Sequence, residues 1–142
     1  MLAKTIRVSY TLDSRSGFYQ PLLPLQIFSR GGKSVQEAAL LDTGAPFSVL
    51  PRSIGENLGL NWKDARQFVK LGGGLSGAQT KAVVLKTIAL SFEPLDVAFA
   101  WAENDGPRLI LGQINFFQNF RICFFRKDSA FSIRPEREAL PS

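Results

Sequence analysis

Histidine is absent from the 142 residues and cysteine occurs once, at Cys123. Without an imidazole, a Ser-His-Asp triad, a Cys-His dyad and a histidine-based zinc site are each impossible within one chain. Most hydrolytic chemistries are thereby excluded, and neither a metal nor a cofactor is expected. A single thiol also rules out an intramolecular disulfide framework, which makes a reducing compartment, the cytoplasm, the default expectation. Long apolar runs are missing as well: no stretch approaches bilayer length, and Met1-Leu2-Ala3-Lys4-Thr5-Ile6-Arg7 lacks the uninterrupted apolar run of a signal peptide. A soluble chain with no membrane partner is the expectation.

What is present suits one folded domain. The apolar share is 45% with 12 Phe, enough to bury a core without disulfides or a structural metal. The formal charge of +5 reflects Lys and Arg spread along the chain and mixed with Asp and Glu, which reads as solvated surface. A basic β-barrel that binds nucleic acid needs clustered aromatic and basic residues for stacking. The Arg residues between Arg121 and Arg137 do not make such a cluster, so no nucleic-acid partner is expected. There are no repeats or linkers; residues 1–135 read as one domain and 136–142 as a polar C-terminal tail that frays.

Thr5 to Leu12 alternates strictly, with Ile6, Val8, Tyr10 and Leu12 on one side, the period of a half-buried strand ended by a turn at Ser14 to Gly17. Leu22 to Phe28 and Val35 to Leu41 are strand candidates joined by Arg30-Gly31-Gly32-Lys33, which has hairpin chemistry. Phe47 to Leu50 reads as a short strand. Pro51 to Leu58 fits a short helix with Gly59 just past its end, although Gly55 inside it argues against a regular helix. Gln67 to Leu71 and Ala78 to Phe92 flank a glycine-rich tip, and Val97 to Trp101 precedes the turn Asn104-Asp105-Gly106-Pro107. Leu109-Ile110-Leu111 is a buried-strand run stopped by Gly112; Gln113 to Asn119 reads as a helical turn or two. Arg121 to Phe125 and Phe131 to Arg134 form a final hairpin. Many short strands, one or two short helices and frequent glycine turns describe a mostly β barrel or sandwich-like domain.

One carboxylate sits where a charge is costly. Ala38-Ala39-Leu40-Leu41-Asp42-Thr43-Gly44-Ala45 puts Asp42 directly after a near-continuous apolar strand. Gly44 permits a tight turn, so Asp42 can accept backbone N–H bonds while projecting from the strand end. Asp, Thr and Gly are also ordinary turn residues, and the tripeptide arises by chance in roughly a few per cent of chains this long, so alone it does not decide function.

With its leading hydrophobics and trailing Ala45, the tripeptide resembles the active-site signature of the retropepsin-like aspartic peptidases, with bacterial members closest in pattern. Phe47-Ser48-Val49-Leu50-Pro51 and the short helix ending in Leu58-Gly59-Leu60 are similar to the segment after the catalytic loop in those members. Gly72, Gly73, Gly74, Leu75 and Gly77 stand where the family has its flap, a hairpin that closes over substrate. Leu109, Ile110, Leu111 and Gly112 match the hydrophobic-hydrophobic-Gly element whose strand braces the catalytic loop. The resemblance runs roughly from Val35 to Phe125.

It implies an acid-protease barrel with a flap hairpin, in which Asp42, Thr43 and Gly44 are catalytic and Ala45 with the flap residues contacts substrate. An aspartic peptidase needs two carboxylates sharing one proton. This chain offers one such motif; Asp64, Asp96 and Asp105 lack the Thr-Gly context. A two-fold homodimer supplies the second Asp42, with the Thr43 hydroxyl bonding across the axis. The expected activity is hydrolysis of a polypeptide bound extended under the flaps, its side chains meeting residues such as Val49, Leu75 and Val84. Retroviral members also carry an acidic residue after the loop and an Arg after the second Gly, and these pair. Here Pro46 and Phe47 follow the loop and Gln113 follows Gly112, which points to a different bracing scheme. The alternative reading is a monomeric, non-catalytic peptide-binding or assembly domain that keeps the fold.

Overall fold

The computed structural model describes residues 4–67 and 79–136, and about half of these described residues (49%) are strand. Two long antiparallel hairpins form its frame. The first joins β4 (Leu22–Phe28) to β5 (Ser34–Leu41), in register from Leu22 opposite Leu40 to Phe28 opposite Ser34. Its turn closes where Ser29 N donates to Lys33 O at 2.8 Å. The second joins β8 (Thr80–Ala89) to β9 (Leu95–Ala102). Along β4 the two-residue period of a strand puts Leu23, Leu25 and Ile27 inside.

Two short strands stitch the hairpins together. β6 (Ser48–Leu50) runs parallel to β9, and β10 (Ile110–Leu111) slots between β5, to which it is parallel, and β6, to which it is antiparallel. Pairing of β4 with β8 completes a closed barrel in the order β4-β5-β10-β6-β9-β8, and β7 (Arg66–Gln67) adds to the side of β8. The interior is filled by Leu23, Ile27, Leu50, Val97, Phe99 and Leu111, each fully buried. Each such side chain contributes about 1.5–3 kcal/mol by leaving water. A separate three-stranded sheet, in the order β1 (Ile6–Ser9), β12 (Ala130–Pro135), β11 (Phe120–Phe125), joins the same core through Phe131 and Ile133. The rings of Phe116 and Phe120 stack at 4.9 Å, and Phe92 from the β8–β9 turn lies 5.4 Å from Phe120.

Helix α1 (Arg52–Asn57) follows β6. Gly55, the residue that argued against it, is required: a Cβ there would lie 2.2 Å from Trp101 Nε1, so only glycine lets the helix rest on the indole. The same indole N–H donates to Arg52 O at 3.2 Å. Pro51 has no capping side chain, and Asp105 substitutes from the far loop, accepting Ser53 N at 2.8 Å. Among the described residues no helix is long and apolar enough to cross a membrane.

Three sequence expectations are corrected. Thr5 to Leu12 is not one strand: β1 ends at Ser9, and β2 (Thr11–Leu12) pairs with β3 (Tyr19–Gln20) in a separate ribbon. The alternation fails after Tyr10, so Leu12 is 57% exposed and Asp13, at 3%, is buried in its place. The cause is Arg108, which holds Asp13 through two bonds of 2.8 and 3.1 Å. Secondly, Gln113 to Asn119 is not a regular helix, because Ile114 is extended and Asn115 has φ +75°. Thirdly, β8 ends at Ala89, since Leu90 turns out of the strand with φ +54°. Residues 68–71 and Ala78, expected as strand, lie outside the described residues, as do residues 137–142 of the expected tail.

Candidate active site

The insertion of β10 beside β5 builds the site. Leu109 O accepts Leu40 N at 3.0 Å and Leu111 O accepts Asp42 N at 3.1 Å, so pairing continues to the first residue of the Asp-Thr-Gly loop. Leu41 is buried, Asp42 half-buried, and Thr43 and Gly44 are exposed. The chain turns at once: Ala45 N donates to Asp42 O at 3.1 Å and Gly44 N donates to Asp42 Oδ1 at 2.9 Å. A charge-assisted bond from a fixed peptide N–H aims the carboxylate without neutralising it. Among the described residues no cation pairs with Asp42.

The residues after β10 grip the other side of the loop. Gly112 packs so closely that a Cβ would lie 2.5 Å from Phe47 O and 2.7 Å from Ala45 O, positions no side chain tolerates without backbone movement. Its N–H donates to the Oγ of fully buried Ser48 at 3.1 Å. Gln113 N and Ile114 N donate to Ala45 O and Pro46 O, both at 2.9 Å, and Gln113 Nε2 donates to Thr43 O at 2.5 Å. The extended Ile114 that carries its N–H to Pro46 O is one of the two non-helical residues, with Asn115, that interrupt a helix here. The bracing is neutral: a side-chain amide and backbone groups stand where an acid–arginine pair was absent from the sequence.

Asp42, Thr43, Gly44 and Ala45 are thus brought against Gly112 and Gln113, with Leu109 and Leu111 buried behind them and Ile110 half-buried. Gly72, Gly73, Gly74, Leu75 and Gly77 lie outside the described residues. Of the expected pocket residues, Val49 is 4% exposed inside the barrel and Val84 is 63% exposed; Leu75 is again outside the described residues. Sequence reasoning missed Ser48, the Gln113 amide and the Asp13–Arg108 pair. The only trace was the failure of Gln113 to match the retroviral pattern.

Asp13 supports the site from the side. Its carboxyl is held well below the usual aspartate range, first by the hydrogen bonds from Arg108 and then by Ser16 and Arg15, with burial opposing. Arg108 directly precedes Leu109, so the pair fastens the β2–β3 turn to the strand that braces Asp42. At the other end of the ribbon Pro21 O accepts Leu41 N at 3.0 Å.

Residues 31–119, more than half of the chain, match the family described as "gag-polyprotein putative aspartyl protease". Among solved structures, a retropepsin-like aspartic protease from Rickettsia conorii superposes with a TM-score of 0.64 over 93% of this chain and 91% of that one, at 14% identity. At that identity the likeness is one of fold. EIAV protease complexed with the inhibitor HBY-793 is 24% identical over 74% of this chain and 88% of its own, with a TM-score of 0.46. No curated protein matches the sequence.

Proposed function

The chain belongs to the family of retropepsin-like, gag-type aspartic proteases, and from that premise we propose that it is an aspartic endopeptidase whose active site forms between two copies of Asp42 in a homodimer. The observation that carries this reading is the Asp42 loop: a carboxylate at a strand end, aimed by the Gly44 N–H, with no cation beside it among the described residues and an exposed Thr43 next to it. One chain supplies one such group, and the chemistry needs two.

Two carboxylates at contact distance cannot both be charged, so the pair holds one proton in common; the aspartic-protease dyad is the standard instance of that rule. The ionised member takes a proton from water as the water attacks the scissile carbonyl. The protonated member donates to the carbonyl oxygen as the carbon becomes tetrahedral. Collapse of that intermediate, with a proton passed to the amine, breaks the C–N bond. The exposed Thr43 hydroxyl reaches across the two-fold axis and holds the loops together. A polypeptide lies extended in the cleft under residues 72–77, bonded through its backbone. Antiparallel pairing of β7 with β8, Arg66 opposite Ala82 and Gln67 opposite Lys81, supports a hairpin that carries those glycines. Residues 1–135 form the catalytic domain and 136–142 are dispensable to it.

The test combines sedimentation velocity with cleavage of a mixed peptide library between pH 4 and pH 8, with and without pepstatin. A dimer with a bell-shaped, pepstatin-sensitive profile on the acid side of neutrality is expected. A monomer with no cleavage at any pH overturns the reading.

A further inference from the structure

Thr43 O and Gly44 N are the two ends of one peptide unit, and both are engaged. The Gly44 N–H donates to Asp42 Oδ1, and Gln113 Nε2 donates to Thr43 O. The chemistry fixes the orientation of the Gln113 amide, because its oxygen in that place would face another oxygen. The peptide is planar and trans, so whatever holds the oxygen sets the direction of the N–H. A bond to the oxygen also polarises the unit and strengthens its N–H as a donor.

We propose that Gln113 is a positioning residue for Asp42, acting through the Thr43–Gly44 peptide, and that Asn115 holds Gln113 in place by tying its loop to the barrel wall; this rests on the reading of Asp42 as catalytic. Asn115 has φ +75° and ψ −48°, a rare backbone state for a residue with a side chain, and such states persist where the surroundings over-determine them. Here they do. Asn115 Oδ1 accepts Ala98 N at 2.7 Å and its Nδ2 donates to Asp96 O at 3.2 Å. Its own N–H donates to Gln118 Oε1 at 2.7 Å, and Asn119 Nδ2 donates to its carbonyl. The side-chain amide thus acts as a strand neighbour for the start of β9, which β6 joins only from Phe99 onward. Between Asn115 and the catalytic loop, the Gln113 and Ile114 backbone is bonded to Ala45 and Pro46. Hydrogen bonds and short stretches of chain run without a break from β9 through Asn115 and Gln113 to the carboxylate.

The experiment compares full-length wild type with Gln113→Met, which keeps the length and removes the donor, Gln113→Lys, which restores a donor, and Asn115→Gly, which keeps the backbone state and removes the tie. The first readout is the Gly44 amide by NMR. In Gln113→Met its proton moves upfield and exchanges about three- to tenfold faster, in Gln113→Lys it returns towards wild type, and Asn115→Gly shows the Met change in smaller degree. The second readout is kinetic: kcat falls by about the same three- to tenfold factor in Gln113→Met with KM unchanged, and the acid limb of the profile moves to higher pH because the Gly44 N–H that the ionised carboxylate accepts is weakened. A Gly44 amide indifferent to both Gln113→Met and Asn115→Gly, in proteins whose core amides are unmoved, overturns the proposal. Wild type that cuts nothing overturns the protease reading alone, and the Gly44 amide then decides this one.

Discussion

Two aspartates in this molecule open turns in the same way and end in opposite circumstances. Asp13 follows β2 and accepts Arg15 N and Ser16 N; Asp42 follows β5 and accepts Gly44 N. Asp13 is 3% exposed and gripped by Arg108 at both oxygens, so its charge is spent on holding the ribbon to β10. Asp42 is half-buried and has no cation among the described residues, only a peptide N–H that orients it. The difference separates a carboxylate that fastens the fold from one left available for chemistry. A permanent guanidinium partner would forbid the proton sharing that an aspartic protease requires.

That contrast is open to attack from both sides. The largest effect is expected at the free carboxylate: Asp42→Asn lowers kcat by ~10⁴-fold, a loss of acid–base catalysis, while Tm hardly moves because the amide oxygen still accepts the Gly44 N–H. Progress curves and calorimetry on one preparation check this, and a variant that still cuts breaks the comparison. Next comes the fastening pair. Arg108→Met leaves Asp13 buried and unpaired, so Tm falls by more than about 5 °C, and adding Asp13→Asn recovers part of the loss. Well below the new Tm, kcat stays within about twofold of wild type, because the pair touches no reacting atom.

The smallest effect is in pH. The folded-state pKa of Asp13 lies below its unfolded value, so the stability it contributes is complete above the ordinary aspartate range and is lost as pH falls towards the depressed value. The Tm gap between wild type and Asp13→Asn is therefore constant from pH 7 to about 5 and narrows only below about 4. A gap that closes already at pH 6 contradicts the assignment. The acid range in which cleavage is expected thus leaves the ribbon fastened.

Local chemistry was legible and long-range chemistry was not. The Asp42 turn uses four consecutive residues, and Leu109 to Gly112 declares a buried strand and its stop by composition alone. Gly55 argues against a helix in the sequence because Trp101, whose indole it accommodates, is 46 positions away. The alternation of Thr5 to Leu12 predicts an inward Leu12, and only the guanidinium 95 residues from Asp13 reverses that phase. Gln113 signals in the sequence only that the bracing differs from the retroviral pattern, since an exposed glutamine carries no periodicity and its acceptor, Thr43 O, is 70 residues distant.

By itself the sequence determined the class of strand-rich fold and, through the resemblance carried by Asp42-Thr43-Gly44, pointed to one carboxylate as the proposed reactive group, while the absent histidine and lone thiol excluded the imidazole-dependent alternatives. Tertiary structure alone decided what surrounds that group. Barrel closure sets the register of β10 between β5 and β6, and that register determines which peptide groups, a glycine without a Cβ and a side-chain amide meet the loop. Hydrogen bonds and close contacts are fixed by distances of a few ångströms, which chain order does not encode until the strands have paired.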